Sequence, residues 1–199
     1  MRPVLVLIGG ATGTGKSTVA AEVARRLGIS RIASTDVVRE TMRAFFAREF
    51  LPSIHVSSFE GEPLVPTFVE QSELVLDGVA ATLARATAEG WSTVVEGVHL
   101  VPGMVETAYD ATVVHCVLSI QNETLHAGHF ALRAGSSRGV RPVERYIAHL
   151  EDIRRVQEFI LQRAREAGVP VIENTDAEAT IEAVVELVRI ASSGTVERV

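Results

Sequence analysis

One ten-residue run, GGATGTGKST at positions 9–18, constrains this chain more than any other feature because of what flanks it. Before it, residues 3–8 (PVLVLI) are β-branched and leucine-rich with no polar alternation, the pattern of a strand buried on both faces of a parallel sheet. After it, KSTVAAEVARRLG spaces Val19, Val23 and Leu27 four apart and stops at Gly28, which predicts a helix. Residues 10–17 match GxxxxGK[ST] in the strand-to-helix setting which that pattern requires. Glycines let successive backbone N–H groups turn inward around an anion, and the helix N-terminus adds partial positive charge. A lysine here reaches the terminal phosphates, and the hydroxyl after it ligates Mg²⁺. Gly10, Ala11, Thr12, Gly13, Thr14, Gly15, Lys16, Ser17 and Thr18 are therefore the predicted triphosphate cradle. Of the nineteen Lys and Arg residues, Lys16 is the single lysine. A compact ammonium suits a small anion nest better than a planar guanidinium fork does.

Beyond the cradle, strand and helix patterns alternate. SRIAST predicts a second strand, DVVRETMRAFFAREF a helix, and residues 51–69, with Pro52, Pro63 and Pro66, an irregular stretch of the kind that covers a site. VEQSELVLDGVAATLARATAEG reads as a long helix, STVVEG and ATVVHCVLSI as strands three and four, and NETLHAGHFALRA as a helix. A further long helix is expected from about 143 to 167, with Tyr146, Ile147, Leu150, Ile153, Val156 and Ile160 on one stripe. PVIEN is the fifth strand, and Thr175 with Glu178 predicts a capping box for the last helix. The expectation is a three-layer α/β domain over residues 1–192 with a mostly parallel five-stranded sheet, an insertion at about 40–75, a lid at about 133–145 and a frayed tail at 193–199.

Composition narrows the partners. A formal net charge of −6 disfavours a nucleic-acid or anionic-membrane partner, and no run approaches the length of a membrane span. A cytoplasmic protein is expected, either a monomer or a homodimer. Cys116 lies in an apolar run and reads as a core residue.

Three places narrow the reaction. Asp36 and Arg39, with Arg43 one turn on, stand where strand two meets its helix, the edge at which open α/β sheets bind ligands. Asp36 there can orient or deprotonate an acceptor hydroxyl, while Arg39 and Arg43 hold an anionic group. Strand three ends in Glu96, Gly97 and His99, so Glu96 is positioned for Mg²⁺, alongside Ser17, or for the acceptor, and Gly97 and His99 for the substrate, His99 through a hydrogen bond. Arg133, Arg138, Arg141 and Arg145 surround two glycines, the make-up of a closing lid over a transferring phosphoryl group. His55, Ser57 and Ser58 are polar groups of the insertion placed to touch the acceptor, and Asn174, at the end of strand five, joins the nucleotide-binding set. His126 and His129 lie three apart on a helix without a third ligand at metal-site spacing.

GGATGTGKST, ASTDVVRETMR, HVSSFEG, EGVHLVPG and RYIAHLEDIRRVQEFILQRAREAGVPVIEN together resemble the P-loop kinases typified by archaeal 2-phosphoglycerate kinase, over residues 4–176. The resemblance implies a fold similar to nucleoside monophosphate kinases and ATP-dependent phosphorylation of a hydroxyl on a small acidic metabolite. It places Lys16 and Ser17 at the phosphates and metal, Asp36 and Arg39 at the acceptor, Glu96 and His99 near it, and Arg133 with its neighbours in the lid. The family has a longer N-terminal region and the motif H-x-x-R-F where this chain reads HAGHF. Two other readings fit the same cradle: a nucleoside or nucleotide kinase, and a nucleotide-gated regulatory protein that hydrolyses slowly.

Overall fold

A computed structural model describes residues 2–136 and 143–194, with residues 131–136 described as backbone only. Five strands, β1 (Val4–Gly9), β2 (Ile32–Ser34), β3 (Thr93–Glu96), β4 (Thr112–Ser119) and β5 (Val171–Glu173), form one sheet in the order β2-β3-β1-β4-β5. Every pairing is parallel. Among the described residues the α-helices are α1 (Lys16–Leu27), α2 (Thr35–Phe45), α3 (Leu64–Ala88), α4 (Glu123–Ser136), α5 (Val143–Ala148), α6 (Leu150–Ala167) and α7 (Ala177–Ser193), with a 3₁₀ turn at Pro52–His55.

The unbroken apolar run of β1 explains the layering. Val6 and Ile8 pack with Val19 and Val23 of α1 and Val184 and Val188 of α7 on one face. Leu5 and Leu7 face the other way, onto Val75, Val79 and Leu83 of α3. Each of those four strand side chains is fully buried. At about 1.5–3 kcal/mol for burying one such side chain, this central strand anchors both layers. Strand order reverses at β1, with β3 on one side and β4 on the other. The carboxyl end of β1 is therefore the switch point at which such sheets open a ligand crevice, and the glycine-rich loop begins there. Cys116 of β4 is buried in the core, and burial pushes its thiol up to about 12. Among the described residues no helix is long and apolar enough to cross a membrane.

Four element boundaries differ from the sequence pattern, each for a local reason. Helix α2 stops at Phe45, because Phe46 turns extended (φ −112°, ψ 125°) and its carbonyl accepts a hydrogen bond from His55 Nε2 at 2.9 Å. Helix α3 begins at Leu64, so the irregular stretch is shorter than predicted. Pro66 sits in its first turn, where N–H groups have no intrahelical acceptor and a proline sacrifices nothing. The helix predicted over 143–167 is broken at His149, which leaves helical geometry (φ −107°, ψ 18°) and caps α6. The break lets Tyr146 lie on Phe130, with ring centroids 4.9 Å apart, while Ile153, Val156 and Ile160 stay in the core; Ile147 is left 45% exposed. The cap of α7 is Asp176, whose side chain accepts from the Ala179 N–H at 2.8 Å. Glu178 is drawn instead to Arg26 at 2.7 Å.

Candidate active site

Strand β1 feeds directly into the cradle. Lys16 is buried at the first position of α1 and sends Nζ back to the Ala11 carbonyl at 2.7 Å, a carbonyl that also accepts from Thr14 Oγ1 at 2.9 Å. The first turn of α1 itself carries no acidic residue, so the positive end of the helix and the ammonium act together. Gly13 adopts φ +88°, and a Cβ there would stand 2.5 Å from Phe130 Cζ. The loop is thus wrapped tightly against α4, and its fit to a polyphosphate comes from backbone N–H groups, a helix terminus and one lysine.

The register of the sheet brings a carboxylate to this loop. Glu96 pairs with Ile8 across β3 and β1, which sets its side chain beside the start of α1, and Ser17 Oγ donates to Glu96 Oε1 at 3.1 Å. A hydroxyl and a carboxylate at this separation suit a hard divalent cation such as Mg²⁺, which takes few protein ligands and keeps water or phosphate oxygens for the rest. The two residues that the sequence assigned to metal are brought together.

A cavity of about 480 Å³ opens from the cradle. Thr12, Lys16, Ser17 and Glu96 border one end; Asp36, Arg39 and Arg43 of α2 form a wall. The insertion adds His55, Ser57 and Ser58, and α5 adds Arg145 and Tyr146. Asp36 is exposed in the first turn of α2, with the cap supplied by Ser34, whose Oγ accepts from the Asp36 N–H at 3.3 Å. Arg39 donates to the Val56 carbonyl at 2.6 Å and to Glu40 at 3.2 Å, and Arg43 donates to the same Glu40 at 2.7 Å. Arg145 donates to Ser57 Oγ at 2.9 Å and to Glu60 Oε1 at 2.7 Å, and holds the Glu60 carboxyl below the usual carboxylate range. Each guanidinium is thus oriented by a carboxylate that an anionic ligand can displace. His55 borders the cavity, but its Nε2–H is engaged by Phe46.

Other predicted site residues lie behind the cavity. His99 is fully buried: Thr35 Oγ1 and its Nδ1 are 2.8 Å apart, and its Nε2 lies 2.9 Å from Gln71 Oε1. Because the Gln71 oxygen can only accept, Nε2 carries the proton and Nδ1 accepts from Thr35. Burial holds this imidazole down at about 3. The expected substrate contact by His99 is corrected accordingly: it braces the floor, passing through Gln71 Nε2 to the Val56 carbonyl (3.0 Å) on which Arg39 also rests. Gly97 is corrected likewise. Its N–H donates to Ile8 O at 3.1 Å, and an added Cβ would lie 1.8 Å from Thr35 Oγ1, so it permits close packing and does not face the cavity. Asn174 Nδ2 donates to the Thr14 carbonyl at 2.9 Å from behind the cradle. Thr18 is exposed on α1. Arg133 belongs to α4, while Arg138 and Arg141 lie outside the described residues, as does the middle of the expected lid, 137–142.

Sequence reasoning passed over Gln71, Glu60 and Tyr146. Gln71 had a signal: with Phe68, Ser72 and Val75 it makes an i, i+3, i+4, i+7 set on α3, and a glutamine at an interior position of such a stripe needs partners. His126 and His129 are not a metal pair but hydrogen-bond the Thr12 and Gly13 carbonyls, at 2.8 and 3.0 Å.

Strand order, glycine-rich cradle, buried lysine and the Ser17–Glu96 pair define a P-loop α/β protein. A family model described as an AAA domain matches residues 5–117, and the chain belongs to that family. It is similar to the 2-phosphoglycerate kinase of Thermococcus kodakarensis, 45% identical over 186 residues that cover 88% of this chain and 63% of that protein. The 2-phosphoglycerate kinase of Methanothermobacter thermautotrophicus is 41% identical over 198 residues, covering 92% and 65%. The chain spans just under two thirds of the length of these curated relatives. Among solved structures, a gluconokinase from Sinorhizobium meliloti superposes with a TM-score of 0.60 at 14% identity, covering 100% of this chain and 99% of that one. A shikimate kinase from Acinetobacter baumannii gives 0.54 at 16% identity, covering 98% and 95%. At such identities these two likenesses establish the fold.

Proposed function

We propose that the protein is an ATP- and Mg²⁺-dependent kinase of the cytoplasm that transfers the γ-phosphate to a hydroxyl of a small acidic metabolite, with 2-phosphoglycerate, named by its relatives, as the first candidate. Residues 1–192 act as one kinase domain in this reading. The observation that carries it is the shared cavity. Lys16 and Ser17 of the cradle border the same space as Asp36, Arg39 and Arg43, so a nucleotide phosphate and an anionic alcohol meet in one place. A nucleotide-hydrolysing switch has no need of an arginine-lined second compartment.

In this reading the cradle N–H groups and Lys16 bind the phosphates and neutralise charge as the γ-phosphoryl group passes between oxygens. Ser17 and Glu96 hold Mg²⁺, which supplies further neutralisation when bound. Asp36 orients the acceptor hydroxyl and takes its proton as the new O–P bond forms and ADP leaves. Arg39, Arg43 and Arg145 hold the acceptor's phosphate or carboxylate, exchanging Glu40 and Glu60 for the ligand.

An assay of ADP release with ATP and Mg²⁺, run with 2-phosphoglycerate, with other phosphorylated or carboxylated alcohols, with nucleoside monophosphates and with no acceptor, tests this directly. Stimulation by an acidic alcohol, with mass-spectrometric detection of the phosphorylated product, is the expected result. Stimulation by nucleoside monophosphates alone, or turnover indifferent to acceptor, overturns it.

A further inference from the structure

Three successive carbonyls of the cradle are each held by a side chain from outside it. His126 Nε2 lies 2.8 Å from Thr12 O, His129 Nδ1 3.0 Å from Gly13 O, and Asn174 Nδ2 2.9 Å from Thr14 O. A carbonyl can only accept, so each of these nitrogens donates and the two histidine tautomers are set by the loop. In a trans peptide the C=O and the following N–H point in opposite directions. Drawing the carbonyls of Thr12 and Thr14 outward therefore turns the N–H groups of Gly13 and Gly15 inward, to the side where an anion is bound. His126 is the most constrained of the three holders. It is fully buried, its ring stacks on Phe130 at 5.5 Å and 23°, and Phe130 in turn blocks any side chain at position 13. Its Nδ1 is buried without a hydrogen-bond partner. A ring kept in the core at the cost of one unsatisfied nitrogen points to the other nitrogen's task.

We propose that His126 is a positioning residue for nucleotide binding: its Nε2–H fixes the Thr12 peptide so that the cradle presents its N–H groups to the phosphates before ligand arrives. His129 and Asn174 do the same for the next two peptides, and the three together make the loop a preformed anion nest. This inference rests on the reading of the cradle as an ATP site. It is independent of which acceptor is used.

The test is His126→Phe, which keeps the ring, its volume and its stack on Phe130 and deletes both nitrogens. The affinity of wild type and variant for ATP with Mg²⁺ is measured by titration calorimetry, and thermal unfolding is followed by circular dichroism. The expected result is a Kd for ATP weakened about 5- to 30-fold, the value of one buried hydrogen bond, with a Tm that changes little, because relief of the unsatisfied Nδ1 offsets the donor lost to Thr12 O. His126→Gln, which offers an amide N–H from the same site, recovers part of the affinity, whereas His126→Leu does not. That pair decides the matter if the phenylalanine variant fails to fold. Unchanged affinity in the folded variants, or a lower Tm at wild-type affinity, overturns the inference and leaves His126 a packing residue. Wild-type protein that binds no ATP overturns the functional reading and this inference with it.

Discussion

Lys16 is buried in a protein whose other cations are all arginine, and it is held in place by a backbone carbonyl of its own loop. An ammonium so placed supplies a bound phosphate with a full charge at close range. Lys16→Ala is therefore expected to lower kcat about 10²–10³-fold while shifting Tm little, since alanine is the best helix former for that turn. Steady-state kinetics alongside a thermal melt checks this, and a variant with wild-type turnover overturns the cradle assignment. Arg39 is expected to separate from it. Its guanidinium rests on Val56 O and Glu40, on the acceptor side of the cavity, so Arg39→Ala should raise the acceptor KM about 10- to 100-fold, the range for a charge-assisted hydrogen bond. The KM for ATP should stay within about twofold. Parallel loss of ATP affinity would move Arg39 to the nucleotide side. The residues on which these two predictions rest were legible in the sequence, because a cradle motif and a strand-end Asp-x-x-Arg carry their chemistry in local spacing.

At the scale of elements, what was legible and what was not divides along the same line. The strands, a mostly parallel sheet and α1 follow from apolar runs and a 3.6-residue period, and the structure contains the elements within a residue or two, with every pairing parallel. What the sequence misplaced depends on contacts remote in the chain. The split at His149 exists because Tyr146 stacks on Phe130, and the α7 cap moves to Asp176 while Glu178 answers Arg26, 152 positions away in the chain. His99 and Gly97 were assigned to the substrate because they follow a strand end, but their surroundings, Thr35 and Gln71, come from α2 and α3. Gly97 gives this a test. With φ +154° and Thr35 Oγ1 at 1.8 Å from any Cβ, Gly97→Ala must push α2 away from β3. The expected cost is about 3 kcal/mol or more in urea unfolding, combining backbone strain with overpacking, and acceptor KM should rise because α2 carries Asp36 and Arg39. A stable variant with unaltered KM would show that the tight turn between β3 and His99 does not set the acceptor wall.

For the whole molecule, stability on the acid side is governed by histidines buried as neutral rings. Burial holds His99 at about 3 and His115 at about 4, and lowers His126 as well. Unfolded, each titrates near the ordinary histidine value of about 6.5. Between the folded and unfolded values the unfolded chain binds more protons than the native one, so stability rises with pH across that window and is lost as pH falls from about 6.5. The lowered carboxyl of Glu60 acts in the same direction, but only below the ordinary carboxylate range, so the histidine window stands clear above it. From pH 7 to pH 5 a ring as deeply buried as His99 is expected to cost about 2 kcal/mol of unfolding free energy. The native ring resists the proton for a structural reason, since a proton on Nδ1 of His99 would remove the acceptor that Thr35 uses and loosen the floor beneath Arg39. Urea titrations at pH 7 and pH 5 on wild type and His99→Asn measure it. The variant is less stable at pH 7 through lost packing, yet its pH slope should be shallower by the share belonging to His99. A wild-type stability flat between these two pH values, or a variant with an unreduced slope, would mean that His99 takes up its proton without unfolding, and that the floor of the acceptor wall is open to water.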